Sequence, residues 1–477
     1  MNIERILDKL HISELNQMQQ ETCEAVLHTN KDVVVLSPTG TGKTLAYLLP
    51  VVQALHQTPE ALQSVVSEAF PTDVAQPSVL VVVPGRELAL QSAEVLKSMG
   101  TGLRTMALYG GRPTMDEHRE LRKAMPHVVF ATPGRINDHI DKGNVLAESI
   151  RWLIIDEFDK CLAMGFQQEM SRLAASLPRV SRRILLSATE SEAIPRFVNM
   201  GRTLRIDYRS NEEEVAERIR IFRVVSPTKD KLSTLRNLLL DFGGQSTVVF
   251  LNYRDSVERT AAYLRGQGFT VSLFHGGLEQ RQREDALYKF ANGSANILVA
   301  TDLASRGLDI PDIDNIVHYH LPETEDNYKH RIGRTARWDK QGRAFFIVST
   351  PSPSPKGEGS SQISPAESSE SLPYIDLNSL PLYTPLSLWR GAGGEAFLPR
   401  MVTLYIGKGK RDKLSKGDIV GFLCKKGGLR SDEIGKISVE ERFTYVAIVR
   451  QRLREVLRRV QGEKIKGIKT IVEEVKD

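Results

Sequence analysis

Through residues 1–350, short unbroken apolar runs alternate with stretches of helical periodicity. Val33-Val34-Val35-Leu36, the run 79–83, Val128-Val129-Phe130-Ala131, Leu153-Ile154-Ile155 and Ile184-Leu185-Leu186 are too short for buried helices. They predict strands of a parallel sheet, buried on both faces and joined through helices. The rhythm breaks in the polar stretch Ser210-Asn211-Glu212-Glu213-Glu214 and restarts at 247–251, 270–274, 297–300, 316–319 and 344–348. Two α/β lobes are expected, over 1–210 and 211–350.

Residues 351–399 read differently. Pro351-Ser352-Pro353-Ser354-Pro355-Lys356-Gly357 opens a Ser/Pro/Gly-rich stretch whose composition buries too little apolar surface to fold, so a flexible linker is predicted. Leu386-Ser387-Leu388-Trp389 is a cluster within it that could dock. From residue 400 the alternation returns. Strands are expected at 402–406 and 443–448, a helix at 451–460 and a last strand at 470–472, enough for a small α+β domain over 400–477.

Composition changes this picture in two ways. The 477 residues are 41% hydrophobic and carry a net charge of +5, but residues 400–477 hold 20 Lys and Arg against 11 Asp and Glu. That block is net +9 on an otherwise slightly acidic body, which suggests a polyanion-binding appendage. The three cysteines, Cys23, Cys161 and Cys424, are isolated, which argues against structural zinc and disulfides and for a reducing compartment. The N-terminus lacks a signal-peptide apolar core and no run approaches the ~18 residues of a membrane span, so a cytoplasmic protein is expected.

Two motifs carry chemistry. Ser37-Pro38-Thr39-Gly40-Thr41-Gly42-Lys43-Thr44 follows the first apolar run. A strand, a glycine turn and a helix start point backbone N–H groups at phosphate. Gly40 and Gly42 let the backbone curl close to phosphate oxygens. Lys43 is placed to neutralise the β- and γ-phosphates, and the Thr44 hydroxyl to ligate Mg²⁺. Asp156-Glu157 ends another strand: Asp156 would hold Mg²⁺, and Glu157 would orient or deprotonate the attacking water. The second half has no phosphate loop of its own, so a nucleotide shared by two lobes is expected, with ATP and Mg²⁺ as cofactors. His318-x-His320 lacks the further ligand spacing that a metal site needs and reads as two histidines on one strand face.

The remaining motifs occur in order. They are Pro84-Gly85-Arg86-Glu87-Leu88-Ala89, Tyr109-Gly110-Gly111, Thr132-Pro133-Gly134-Arg135 and Ser187-Ala188-Thr189 in the first half. Phe250-Leu251-Asn252, the segment 300–310 and His330-Arg331-Ile332-Gly333-Arg334-Thr335-Ala336-Arg337 follow in the second. Across 1–350 this resembles a DEAD-box RNA helicase. The resemblance implies two tandem RecA-like lobes and an RNA-dependent ATPase. It implies that Arg334 and Arg337 are arginine fingers on the γ-phosphate, that Asp309 contacts the ribose, that Gln19 reads adenine, and that Ser37, Thr39 and Thr41 of the loop also bind the nucleotide. It implies that Ser187, Thr189 and Asp159 couple hydrolysis to strand separation. RNA would run over Arg86, Gly110, Gly111, Thr132, Pro133 and Arg135 in one lobe and Gln280, Arg283, Thr301 and Arg306 in the other. Such hydroxyls, amides and guanidinium groups suit sugar–phosphate contacts. Departures are Phe158 for the usual alanine of the acidic motif, Gly85 for a threonine, Ala336 for a glycine, and no aromatic upstream of Gln19.

Residues 400–477 resemble the C-terminal domain of the DbpA branch of that family, through Thr403-Leu404-Tyr405-Ile406-Gly407, Lys410-Arg411-Asp412-Lys413 and Ile434-Gly435-Lys436-Ile437. The resemblance implies an RNA-recognition-motif variant with Tyr405, Phe443 and Tyr445 at base-stacking positions, and ribosomal RNA in an assembling particle as partner. Binding through basic loops around Lys408–Lys416, which include Lys410, and around Arg450–Arg459 is the alternative. The whole reads as a monomeric ATP-dependent RNA helicase; an ATP-gated RNA clamp without turnover and a DNA-directed helicase are its rivals.

Overall fold

The computed structural model describes residues 3–38, 40–57, 74–111, 113–189, 196–209, 218–302, 313–335, 341–349, 371–385 and 396–475. The described residues fall into two compact units, one up to residue 209 and one from Arg218 on. Among the described residues no helix is long and apolar enough to cross a membrane.

The first unit holds β1 (Asp32–Leu36), β2 (Val79–Val82), β3 (Thr105–Leu108), β4 (Val128–Ala131), β5 (Trp152–Ile155), β6 (Arg182–Ser187) and β7 (Thr203–Asp207). They form one sheet in the order β3-β4-β2-β5-β6-β1-β7, parallel throughout. The apolar runs are its central strands, and their alternate side chains feed two separate cores. Val33, Val35, Val79, Val81 and Ile184 face one helical layer; Val34, Leu80, Leu153 and Leu185 face the other. The sheet is thus covered on both sides, as a parallel sheet requires. Every turn that matters to chemistry leaves the carboxyl end of a strand.

The second unit repeats the plan with β8 (Ile219–Ser226), β9 (Thr247–Leu251), β10 (Val271–Phe274), β11 (Ile297–Thr301), β12 (Asn315–His318) and β13 (Gly342–Ser349), ordered β10-β11-β9-β12-β13-β8 and parallel. It continues into an antiparallel sheet of β14 (Met401–Ile406), β15 (Ile434–Val439), β16 (Thr444–Val449) and β19 (Val472–Glu474), ordered β15-β16-β14-β19, with a small hairpin of β17 (Lys464–Ile465) and β18 (Ile468–Lys469). Leu404, Ile406, Val446 and Ile448 point into its core with Ile419, Leu423 and Val456 of the two covering helices, as the alternation predicts. Tyr405 lies opposite Tyr445 on the other face.

Part of the expected linker is packed. Leu377 is buried with Phe346 and Val348 of β13, and Leu372, Ile375 and Leu380 pack around them. The Arg223 N–H of β8 donates to the Pro381 carbonyl (2.9 Å), and the Tyr383 N–H donates to the Arg223 carbonyl (2.8 Å), so 381–383 pairs with the edge strand. Trp389 lies outside the described residues.

Candidate nucleotide and RNA sites

The phosphate loop begins where β1 ends. Gly40 and Gly42 take φ of 87° and 83°, the left-handed region in which only glycine is unstrained. A Cβ on Gly42 would also lie 2.4 Å from Gln19 Nε2. Gln19 sits in the first turn of the helix Gln17–His28, in a capping box with Asn16. Its Oε1 accepts from the Asn16 N–H (3.0 Å) and its Nε2 donates to the Gly42 carbonyl (3.2 Å), while Asn16 Nδ2 donates to the Thr41 carbonyl (2.9 Å). The helix start therefore clamps the loop. The Ser37 hydroxyl donates to Thr41 Oγ1 (2.8 Å), which bonds the Pro38 carbonyl, and the Ser37 N–H donates to the Ser187 carbonyl (3.0 Å). Lys43 Nζ donates to the Ser37 and Pro38 carbonyls at 2.6 and 2.8 Å. Burial lowers its pKa to about 8, against the opposing pull of Asp156. An ammonium held by neutral carbonyls in a desolvated loop is electrostatically under-compensated, and a phosphate would compensate it.

Asp156 and Glu157 leave β5. Burial, then the Glu157 carboxylate, raises Asp156 to about 7. Near it lies the Tyr47 hydroxyl, pushed well above its ordinary range by burial, with Asp156, Ser92 and Thr44 as its neighbours. A buried carboxylate that resists ionisation, close to a threonine hydroxyl and a phosphate-binding ammonium, fits a hard divalent cation brought in with a nucleotide. Glu157 takes φ 53°, strained for a residue with a Cβ, at a cost of about 1–3 kcal/mol. The strain aims its carboxylate to Lys160, one turn on, at 2.5 Å; the Lys160 side chain is 2% exposed. Thr189 Oγ1 donates to Asp159 Oδ2 (3.1 Å), and the Ser187 hydroxyl donates to the Thr189 carbonyl (2.6 Å). The expected coupling residues are thus one hydrogen-bonded chain from the acidic turn to the end of β6, and through Ser37 to the phosphate loop.

The other half of the sheet carries the expected RNA track. Arg86 starts the helix after β2, and its guanidinium lies over Gly110 and Gly111 after β3; a Cβ on Gly111 would come within 2.5 Å of Arg86 Nη1. After β4, Thr132 and Pro133 begin the helix Pro133–Asp141. Arg135 reaches back, donating to the Tyr109 carbonyl (3.1 Å), to Thr114 Oγ1 (2.8 Å) and to Glu117 (2.9 Å). Glu117 is buried and also meets His139 Nε2 at 3.0 Å. The β3-β4-β2 side thus gathers the expected RNA residues and the β5-β6-β1 side the expected nucleotide residues.

In the second unit, Arg331 is a hub. Its side chain is 1% exposed; it pairs with Asp302 at 2.5 Å, and donates to Asn252 Oδ1 (2.8 Å) and the His320 carbonyl (2.7 Å). His318 Nδ1 faces it at 3.3 Å and is held neutral, burial pushing its pKa well below the ordinary value. His320 Nδ1 accepts from the Asn252 N–H. The two histidines are thus engaged with Arg331 and Asn252. Removing one partner of a buried ion pair leaves a charge stranded. Arg331→Ala should therefore cost about 3–5 kcal/mol, read by urea unfolding of the full chain. A cost below about 1 kcal/mol would show that the hub is not structural.

Three family models match the chain: a DEAD/DEAH box helicase over 16–197, a helicase conserved C-terminal domain over 230–339 and a DbpA RNA binding domain over 403–474. ATP-dependent RNA helicase DbpA of Escherichia coli (strain K12) is 32% identical over 466 residues, 97% of this chain and 94% of that protein. The chain is a DEAD-box RNA helicase of the DbpA-like branch. An ATP-dependent rRNA helicase RRP3 of Coccidioides immitis is 36% identical over 72% of this chain and 69% of that protein. Among solved structures, the DEAD-box helicase Mss116 bound to single-stranded RNA and a nucleotide analogue aligns with TM-score 0.64 at 25% identity, over 73% of this chain and 72% of that one. S. cerevisiae Dbp5 bound to RNA and ADP BeF3 aligns with TM-score 0.62 at 24% identity, over 73% and 88%, which shows the fold. The helicase is accordingly an RNA-dependent ATPase built of two RecA-like lobes and an RNA-binding C-terminal domain.

The second unit of the helicase holds Arg283, Gln280, Thr301 and Arg334 of the expected site residues. Arg283 is buried, its guanidinium 5.0 Å over the Phe274 ring. Gln280 Nε2 donates to Glu284 one turn on. Thr301 ends β11 and is buried, and Arg334 is buried just past the helix Glu325–Ile332, its N–H donating to the Arg331 carbonyl (3.2 Å). Thr39, Arg306, Asp309 and Arg337 lie outside the described residues. The aromatic sheet face departs from the expectation: Tyr445, a base-stacking position by the resemblance, is 3% exposed. Its ring packs 5.0 Å from Tyr288 on the helix Gln280–Ala291, and its hydroxyl bonds Asp285. Tyr288 donates to the Lys436 carbonyl (2.6 Å), Asn292 Nδ2 donates to Thr403 Oγ1 (2.9 Å) and Arg281 lies 5.0 Å over Tyr405. The face does point out of the domain; a helix of the second lobe covers it. Tyr405 and Phe443 keep partial exposure at its margin, and Lys410 is exposed.

Sequence reasoning missed Lys160, Tyr47, Arg331, Glu117 and the Asp285–Tyr288–Asn292 grip. A signal existed for some: Lys160 lies three residues after Glu157, Arg331 three before Arg334, and Asp285, Tyr288 and Asn292 share one helix face by their spacing.

Proposed function

We propose that this helicase remodels structured ribosomal RNA within an assembling particle, as a cytoplasmic monomer, and that its C-terminal domain selects the target through basic loops. The observation that carries the selection step is the burial of Tyr445 against Tyr288, which leaves exposed Lys410 and its neighbours as the accessible charge. The DbpA-type domain and the rRNA helicase name of a relative support the ribosomal reading.

In the cycle we propose, Lys43 leaves the Ser37 and Pro38 carbonyls for the phosphates, and Thr44 and Asp156 hold Mg²⁺, which supplies charge neutralisation when bound. Glu157 orients the attacking water. Arg334 and Arg337 reach the γ-phosphate only in the state that holds both ATP and RNA. Arg86, the Gly110-Gly111 turn, Thr132 and Arg135 grip sugar and phosphate without reading bases. The link Asp159–Thr189–Ser187 then transmits phosphate release across the first sheet.

The test is the RNA concentration giving half-maximal ATPase for ribosomal fragments and for an unstructured RNA of equal length. The wild type should favour one structured fragment. Lys410→Glu with Lys413→Glu should erase that preference, while Phe443→Ala on the sheet face should preserve it. The reverse pattern would return selection to the aromatic face.

A further inference from the structure

We propose that the segment 371–385 is a strap that sets the position of the helix Glu325–Ile332, with Tyr374 and Leu377 as positioning residues for the arginine that follows that helix. The strap has two distinct ends. At one end, 381–383 pairs with the free edge of β8 through Arg223, and Tyr383 packs against Phe222 and Phe345 at ring separations of 5.7 and 5.2 Å. This end covers a sheet edge, a structural service. The other end does something else. The Tyr374 ring packs on Tyr328 with centroids 6.0 Å apart and planes inclined by 30°, and its hydroxyl donates to the Pro322 carbonyl at 2.8 Å. Pro322 is in the loop leading into the helix, and Tyr328 is on the helix itself. Leu377 is 2% exposed, wedged into the cluster that Tyr328 and Leu321 join.

The helix is therefore gripped from two sides. On one, Arg331 is tied to Asp302 and Asn252. On the other, one turn earlier, Tyr328 is tied to the strap. Asn252 also donates to the Leu321 carbonyl (3.1 Å), so both grips converge on the loop 321–324 at the helix start. Arg334 hangs from the far end, its N–H on the Arg331 carbonyl. Releasing the strap takes the Tyr374 and Leu377 contacts from the Tyr328 side, leaves the Tyr328 packing on Phe346 and His318, and lets the helix shift about its Arg331 anchor. A small displacement of a group that must meet a transferring phosphate carries a large rate penalty. The segment between the second lobe and the C-terminal domain thus acts on the ATPase, besides joining two domains.

This rests on the reading of Arg334 as a γ-phosphate contact, so Arg334→Ala is run alongside. The experiment is steady-state ATPase at saturating RNA, with kcat and KM for ATP separated, and a thermal midpoint for each full-length variant. Tyr374→Ala should lower kcat about tenfold with KM nearly unchanged. Tyr374→Phe, which keeps the ring, should retain most of kcat. Tyr383→Ala, at the edge-covering end, should lower the thermal midpoint as much as Tyr374→Ala yet leave kcat unchanged. Equal kcat in wild type and Tyr374→Ala overturns the proposal. So does a kcat that simply follows the thermal midpoint in both alanine variants, which would make the strap a cover only. If Arg334→Ala turns over normally, the arginine assignment fails, independently of what Tyr374 does.

Discussion

Glu157→Gln should bind ATP and RNA as the wild type does and hydrolyse almost nothing. The side chain is held by fixed elements. The left-handed backbone at Glu157 and the ion pair to Lys160 aim the carboxylate, and the Glu157 N–H donates to Asp156 Oδ1 at 2.9 Å. An amide of the same shape keeps the backbone geometry and can still accept from Lys160 Nζ through its Oε1, while it loses the charge of the ion pair together with the basicity. A positioned acid–base group contributes about 10²–10⁴ in rate, and kcat should fall in that range while nucleotide affinity changes less than threefold. Single-turnover hydrolysis alongside a nucleotide-binding titration checks both halves. Unchanged turnover would remove Glu157 from the mechanism. A parallel loss of ATP affinity would show that the carboxylate acts through the phosphate loop.

Arg334→Ala should cost the most. An arginine finger contributes about 10³–10⁵ in kcat where one is used, because it meets charge that develops in the transition state. The expected signature is a collapse of RNA-stimulated kcat with little change in KM for ATP. Arg334→Lys should not rescue it, since a single ammonium lacks the planar fork that bridges phosphate oxygens. The neighbouring Arg331 serves as a contrast. It is locked to Asp302, Asn252 and His320, so its loss is a loss of fold rather than of chemistry. If Arg334→Ala lowers ATP affinity alone, the side chain holds ground-state nucleotide and the finger assignment fails.

What the sequence discloses follows from how each element is buried. The central strands of both lobes are read directly, because burial on two faces demands an apolar run. Of the edge strands, Val271–Phe274 is read from its apolar residues, but Thr203–Asp207 and Ile219–Ser226 are not: they mix charged and apolar residues, since one side of each has no neighbouring strand from its own lobe. The phosphate loop and the acidic turn are legible because glycine and carboxylate chemistry leaves few alternatives. Lys160 and Glu117 are not, since a charged residue in a helix reads as solvated until its buried partner is known. The stretch 351–399 reads as one composition, and averaging hides Tyr374, Leu377 and Tyr383 among serines and prolines. The aromatic face of the C-terminal domain shows the limit most sharply. Alternation orients Tyr405 and Tyr445 outward correctly, but their cover is a tyrosine and an aspartate on a helix more than a hundred residues earlier. No local pattern connects them.

If hydrolysis in this chain is gated by RNA, the deciding measurement is the ATPase rate of the full-length wild type without RNA and with saturating structured RNA, in the same buffer. A rate that is low alone and rises by orders of magnitude with RNA is the predicted result. A rate that is the same with and without RNA, across a panel that includes ribosomal fragments, would contradict it.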